Sequence, residues 1–325
     1  MAEQNKIPAI GIDLGGTKIL AGLVSNCRLQ GEPVKVPTPK GAENIVDTIL
    51  KITSDFQKDN IVLGVGISTA GIVDPASGEV LGSTGNLPGW EGTPLKTLIQ
   101  NKTALRTVVE NDANSAAYGE CHAAGLAHKT CVIMVTLGTG IGGGIILHGK
   151  LYRGAHFAGG EIGHIKVSMD NRRRCTCELW DCWETYGAGR GLQATAWELL
   201  ANVSEEQSAL AAIRDNLKTQ DVLEAVQKGD IIAKKAMEIY HEHIACGMVA
   251  LCHSLDPDCF VISGGMSKFV DLKLLKELVC DRTLPRVSEK LEIFPSCLGE
   301  AAGLVGAGQL VLDAVSEVEQ VSVAG

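Results

Sequence analysis

Ala9-Ile-Gly-Ile-Asp13-Leu-Gly-Gly-Thr-Lys18-Ile-Leu-Ala-Gly-Leu-Val24 is an apolar run broken once, by Leu14-Gly-Gly-Thr-Lys18. Aliphatic residues on both sides of paired glycines predict two strands joined by a tight turn. Glycines at such a turn let backbone N–H groups approach phosphate oxygens, and Thr17 and Lys18 add donors. Asp13 is a candidate ligand for Mg2+, directly or through water. Gly11 to Lys18 approaches the Walker pattern but is out of step by one residue, and a strand rather than a helix follows, which excludes a P-loop. A plain glycine hairpin remains the alternative for this stretch taken alone.

Working outward, a third strand is expected near Glu32 to Val36. Ile45, Ile49, Ile52 and Phe56 recur every three or four residues and predict a helix over Glu43 to Gln57. Strands follow at Ile61 to Ile67 and Thr107 to Glu110, then a helix at Ala113 to Ala124. The opening pattern then returns about 124 residues on: strand Cys131 to Thr136, glycine turn Leu137-Gly-Thr-Gly140, strand Gly143 to His148. Gly138-Thr-Gly-Ile-Gly-Gly143 has the form G-x-G-x-x-G, but no helix begins after it, so it reads as a second phosphate turn rather than a dinucleotide motif. Ala233, Met237, Tyr240, Ile244, Met248, Leu251 and Leu255 line one face of a long helix from Ile232, stopped by Asp256-Pro257. Cys259 to Ile262 is a strand running into Ser263-Gly264-Gly265, where backbone can pack against a flat base, and a last helix covers Leu304 to Val315. Strands alternating with helices in two halves predict α/β sheets covered by helices, with a ligand cleft between the halves.

Composition narrows the function. A formal net charge of −9 argues against a nucleic-acid partner, and Arg172-Arg173-Arg174 reads as a solvated loop. No apolar run reaches the ~18 residues of a membrane span, and polar Glu3 to Lys6 lead straight into the first strand. Eleven cysteines without an export signal point to a reducing, cytoplasmic compartment, and their odd number argues against a complete disulfide framework.

Seven ordered blocks make the chain resemble the ROK family of sugar kinases and sugar-responsive repressors, within the actin/hexokinase superfamily. They are Asp13-Leu-Gly-Gly-Thr-Lys18, Ser68-Thr-Ala-Gly71-Ile-Val-Asp74, Asn86-Leu-Pro-Gly-Trp90, Glu110-Asn-Asp-Ala-Asn114, Leu137-Gly-Thr-Gly-Ile-Gly-Gly143, Glu161-Ile-Gly-His164 and Cys175-x-Cys177-x₄-Cys182-x-Glu184. The resemblance spans nearly the whole chain. It implies a two-domain, ribonuclease H-like α/β fold: residues 1–113 with a C-terminal helix at about 304–325, and residues 114–303 carrying a zinc loop. ATP would meet Gly15, Gly16, Thr17, Lys18, Gly138, Thr139, Gly140, Gly264 and Gly265, with Mg2+ near Asp13. The sugar would meet Gly71, Asn86, Asn111, Asp112, Glu161, His164 and Glu184, and homodimers or homotetramers would form. Repressor members carry a helix-turn-helix domain ahead of the first turn, where this sequence has about a dozen residues. A non-catalytic sugar-sensing regulator is therefore the disfavoured reading.

Phosphoryl transfer needs an aligned hydroxyl, neutralised phosphate charge and a proton acceptor. Asp112, at a strand-to-helix junction, fits the acceptor. An isolated Asn-Asp pair would read as an N-cap, and the surrounding blocks reverse that preference. A helix N-terminus favours the ionised carboxylate, which suits orienting the hydroxyl and taking its proton late. His164, Cys175, Cys177 and Cys182 form a Cys₃His set for a structural Zn2+, with no open coordination position. The other histidines read as packed or surface residues. Within the cysteine loop the family usually has glycines where Glu178 and Asp181 stand here. Asn86 to Trp90 and Cys182-Trp-Glu184 look most like the family's glucokinases. N-acetylmannosamine, N-acetylglucosamine and fructose are the alternative acceptors, and polyphosphate an alternative donor.

Overall fold

A computed structural model describes residues 7–82 and 87–324, the last eight of these by backbone only. The strands are β1 (Ala9–Leu14), β2 (Lys18–Ser25), β3 (Arg28–Pro37), β4 (Gly64–Thr69), β5 (Ile72–Val73), β6 (Val80–Gly82), β7 (Arg106–Asn111), β8 (Cys131–Leu137), β9 (Ile141–Leu147), β10 (Lys150–Tyr152), β11 (Cys259–Ser263) and β12 (Glu292–Pro295). The helices are α1 (Ala42–Asp59), α2 (Leu95–Thr103), α3 (Asp112–Ala123), α4 (Glu184–Gly187), α5 (Gly189–Leu199), α6 (Thr219–Gln227), α7 (Ile231–Leu255), α8 (Leu272–Cys280), α9 (Pro285–Ser288) and α10 (Ala302–Ala324). Two five-stranded sheets run β3-β2-β1-β4-β7 and β10-β9-β8-β11-β12, the same order twice over, so the repeat in the sequence is a repeat of topology.

Contacts divide the chain into two units: residues 1–128, 144–160 and 297–325, and residues 129–143 and 161–296. The first unit runs past residue 113, to residue 128, and takes in residues 144–160. α3 stays with the first sheet because it packs on α10 in the same unit. A Cβ on Gly306 would lie 1.7 Å from the Ser115 carbonyl oxygen, so only glycine allows those two backbones to come so close.

In the first unit β1 is antiparallel to β2 and parallel to β4, and β4 is parallel to β7. Ile10, Ile12, Leu14, Val65 and Ile67 are fully buried because helices cover both faces of this sheet. α1 contributes Ile45, Val46, Ile49 and Ile52 to one core. α10 lies on β1 and β4, where a Cβ on Gly66 would meet the Ala307 carbonyl oxygen at 1.9 Å. The strand expected from Ile61 begins instead at Gly64, since Ile61 is 80% exposed and has no core to enter.

In the second unit β8 and β12 flank β11 in parallel. α7 packs against α4, α5, α6 and α8, and Asp256 ends it in a left-handed conformation with its amide donating to Cys252. Trp183, fully buried, lies over α7 where Gly247 leaves room for its ring, and its Nε1 donates to the His243 carbonyl at 2.9 Å. Trp183 thus holds its neighbours Cys182 and Glu184 against the helix. No helix among the described residues is long and apolar enough to cross a membrane.

Candidate active site and metal centre

In the first unit the Asp13 turn is a closed hairpin. The Gly15 amide donates to the Lys18 carbonyl at 3.0 Å, and Thr38 Oγ1 donates to the Gly15 carbonyl at 2.6 Å. The Gly15 N–H is therefore used within the turn, while Gly16 and Thr17 lie exposed at its tip. Lys18 pairs with Glu300 at 2.7 Å on the surface. Ser68 Oγ donates to Asp13 Oδ1 at 2.7 Å, since the parallel register sets Ser68 beside Asp13. Burial raises the Asp13 carboxyl above its ordinary value, against the Ser68 hydrogen bond and the Lys18 charge.

Asp112 opens α3 as an exposed residue. Asn111 caps that helix: its Oδ1 accepts the Asn114 amide at 3.0 Å, and its Nδ2 donates to the Gly71 carbonyl at 2.9 Å and to Asp112 Oδ1 at 3.1 Å. Capping therefore falls to Asn111, and Asp112 stands beside the cap. Asn86 lies outside the described residues. Past it, Trp90 is fully buried and its Nε1 donates to Thr69 Oγ1 at 2.9 Å, anchoring residues 87–90 to the end of β4.

Two residues beside the site were given no role by the sequence: Glu110, quoted only as the first residue of its block, and Arg153. Glu110, 2% exposed, accepts the Asn111 amide at 3.0 Å and Asn114 Nδ2 at 3.1 Å through Oε1, and Arg153 Nε at 2.7 Å through Oε2. The signal was a single carboxylate ending the apolar run Thr107-Val-Val-Glu110. Nothing local pointed to Arg153, which reaches Glu110 across 43 residues of chain.

In the second unit the Leu137–Gly140 turn is likewise closed, with the Gly138 amide donating to the Gly140 carbonyl at 3.0 Å. The Gly138 carbonyl accepts the Gly189 amide at 2.9 Å, and the Thr139 carbonyl accepts Arg190 Nε at 3.2 Å, so the start of α5 abuts the turn. Gly264, at φ +89°, lies against Leu137, whereas Gly265 faces open space. Glu184 comes close to Gly140, where a Cβ would lie 2.5 Å from its Oε2, and its Oε1 accepts from Cys175 Sγ at 2.9 Å.

The cysteine loop is a short hairpin. Arg174 and Trp180 bridge across it, the Asp181 amide donates to the Arg173 carbonyl at 2.8 Å, and Lys166 Nζ donates to the Trp180 carbonyl. A further bridge, Lys166 to Cys182, ties it to the stretch after His164. The result gathers His164, Cys175, Cys177 and Cys182 with all four donor atoms within 4.8 Å of one another. Cys177 Sγ to Cys182 Sγ and Cys175 Sγ to His164 Nδ1 are both 3.7 Å. A tetrahedral Zn2+ with ~2.3 Å bonds to sulfur needs donor separations of about 3.8 Å, so the set fits that ion. His164 Nε2 points the other way, 3.7 Å from Glu161 Oε2.

Glu178 and Asp181, the two residues that stand where the family usually has glycine, hold left-handed backbone, at φ +68° and φ +56°. Arg173 also departs from expectation. Far from solvated, it is 9% exposed, and its guanidinium donates to both carboxylate oxygens of Glu198, to the Thr185 and Gly191 carbonyls and to Thr195 Oγ1. Its charge is matched inside the fold, whereas Arg172 and Arg174 remain exposed as expected. Next to it, His243 Nδ1 is buried without a hydrogen-bond partner, and burial, helped by the Arg173 charge, pushes the imidazole down to about 4.

Known proteins match along almost the whole length. A glucokinase from Streptomyces coelicolor is 34% identical, covering 93% of this chain and 96% of its own. An N-acetyl-D-glucosamine kinase from Salmonella heidelberg is 30% identical, with 93% and 98% covered. The crystal structure of a ROK family glucokinase from Streptomyces griseus, in complex with glucose and AMPPNP, superposes with a TM-score of 0.72 at 35% identity, covering 93% of this chain and 98% of that one. The ROK family pattern itself matches residues 9–314, through both glycine turns, the Asn111-Asp112 junction and the cysteine loop, and the chain belongs to that family.

Proposed function

We propose that the chain is an ATP-dependent glucokinase that moves the γ-phosphoryl group of ATP to the 6-hydroxyl of glucose. The observation that carries the reading is Asp112, an exposed carboxylate at the first turn of α3, oriented by Asn111 Nδ2 at 3.1 Å. The acceptor hydroxyl donates to that carboxylate. As its oxygen bonds to the γ-phosphorus and the bond to the β-phosphate oxygen breaks, the proton passes to Asp112. Glu161, His164 and Glu184 accept from or donate to the remaining ring hydroxyls, so an epimer leaves one polar partner unpaired. The exposed tip at Gly16 and Thr17 and the turn at Thr139 and Gly140 supply donors to phosphate. The adenine lies on Gly264 and Gly265.

Asp13 would hold Mg2+, directly or through water, and the ion supplies charge neutralisation on the phosphates. His164 Nδ1, Cys175, Cys177 and Cys182 would hold a structural Zn2+ that fixes the loops bearing Glu161 and Glu184. With Nδ1 on the metal, His164 Nε2 is left for a sugar hydroxyl. A cytoplasmic homodimer or homotetramer belongs to the same proposal.

The test is kcat/KM for glucose, mannose, fructose, N-acetylmannosamine and N-acetylglucosamine in parallel, with Mg-ATP and with polyphosphate as donors. Glucose with Mg-ATP should lead. An acetamido sugar ahead by tenfold, about 1.4 kcal/mol of transition-state binding, overturns glucose and leaves the kinase. Sugar binding without turnover on any acceptor overturns the kinase in favour of a sensor.

A further inference from the structure

Asp181 combines two features that each disfavour an aspartate: left-handed backbone at φ +56°, and burial to 1% exposure. One carboxylate oxygen, Oδ1, offsets them with local hydrogen bonds, while Oδ2 is buried without a partner. Oδ1 accepts the Arg172 amide at 3.1 Å, the Arg173 amide at 3.0 Å and the Tyr186 hydroxyl at 2.7 Å. The first two lie on the opposite limb of the cysteine hairpin, and the third is on α4. Tyr186 in turn lies under the Arg173 guanidinium, 4.4 Å from ring centroid to Cζ, and Arg173 is forked onto Glu198 of α5. Cys175 follows Arg173 by two residues and Cys182 follows Asp181 directly. The clamp therefore spans the base of the hairpin that spaces those two sulfurs, and ties it to the helices bearing Glu184 and Arg190.

We propose that Asp181 is a positioning residue that holds the cysteine hairpin in ligating geometry through protein contacts alone, so that Zn2+ enters a site already formed. The inference rests on the zinc reading above. Metal sites that must fold around the ion lose part of the binding energy to ordering the chain, and a preformed site does not.

The test uses the full chain stripped of metal, with Zn2+ titrated against a chromophoric chelator, together with amide exchange of residues 173–186 in the stripped protein. Asp181→Gly relaxes the backbone but deletes the acceptor. Its Zn2+ affinity should fall by about 10–100-fold, with faster exchange across the hairpin, while Asp181→Asn keeps the acceptor oxygen and stays within about threefold of wild type. Wild-type affinity in Asp181→Gly overturns the clamp and leaves the zinc site standing. An Asn variant as weak as the Gly variant also overturns it, because charge rather than acceptor geometry would then decide. A wild type that binds no Zn2+ overturns the metal reading and the clamp with it. Should Asp181→Gly fail to fold, Tyr186→Phe decides: a loss of about threefold or more supports the clamp, and unchanged affinity overturns it.

Discussion

His243 should make the second unit acid-labile, and replacing it with phenylalanine should remove that lability. The imidazole lies edge-on to Tyr186 at 5.1 Å with its Nδ1 buried and unpartnered, so protonation would place a buried charge beside the Arg173 guanidinium, a cost that the Glu198 carboxylate and the Tyr186 backbone offset only in part. Its value in the folded chain is about 4. Unfolded, it returns to ~6.5. Between these values the unfolded chain binds the extra proton, so stability is whole above the unfolded value and falls as the pH drops toward the folded one. A gap of that size sets a ceiling of roughly 3 kcal/mol, and at pH 5 the loss should be about 2 kcal/mol relative to pH 7.5. His243→Phe keeps a ring against Tyr186 and cannot titrate. Urea unfolding followed by tryptophan fluorescence is the assay, because Trp180, Trp183 and Trp197 all lie in the second unit and only Trp90 in the first. Acid loss of metal from the cysteine site acts on both proteins and cancels in the difference. Equal pH slopes for wild type and His243→Phe would refute the reasoning.

Asp112→Ala should lower kcat by about 10²–10⁴ while leaving glucose binding by calorimetry largely intact, since the lost interaction belongs to the transition state. A near-normal kcat would remove Asp112 from the mechanism. Gly306→Ala should destabilise the first unit by about 3 kcal/mol, because its Cβ would sit 1.7 Å from the Ser115 carbonyl oxygen and α3 must move off α10. An unchanged melting temperature would show that the two helices are not in the close contact described.

The chain announces its fold through short-range patterns. Apolar runs on either side of paired glycines encode the hairpins of β1 with β2 and β8 with β9, and three-to-four spacing of Ile45, Ile49 and Ile52 encodes α1. Such signals are legible because turn chemistry and helical periodicity act within a few residues. For the same reason Asn111-Asp112 and the Cys-x-Cys spacing stand out locally as candidates for chemistry. What only the tertiary structure decided concerns partners distant in sequence. Arg173 looked like one of three surface arginines until Glu198 and the carbonyls of α4 and α5 enclosed it. Glu110 looked like the end of a strand until Arg153 arrived from another hairpin to neutralise it. Asp181 stood where backbone geometry favours glycine, and only folding brought the amides and hydroxyl that make an aspartate tolerable there. A buried charge is stable only beside its partner, and which residue that partner is depends on the path of the chain in space, which no local pattern encodes.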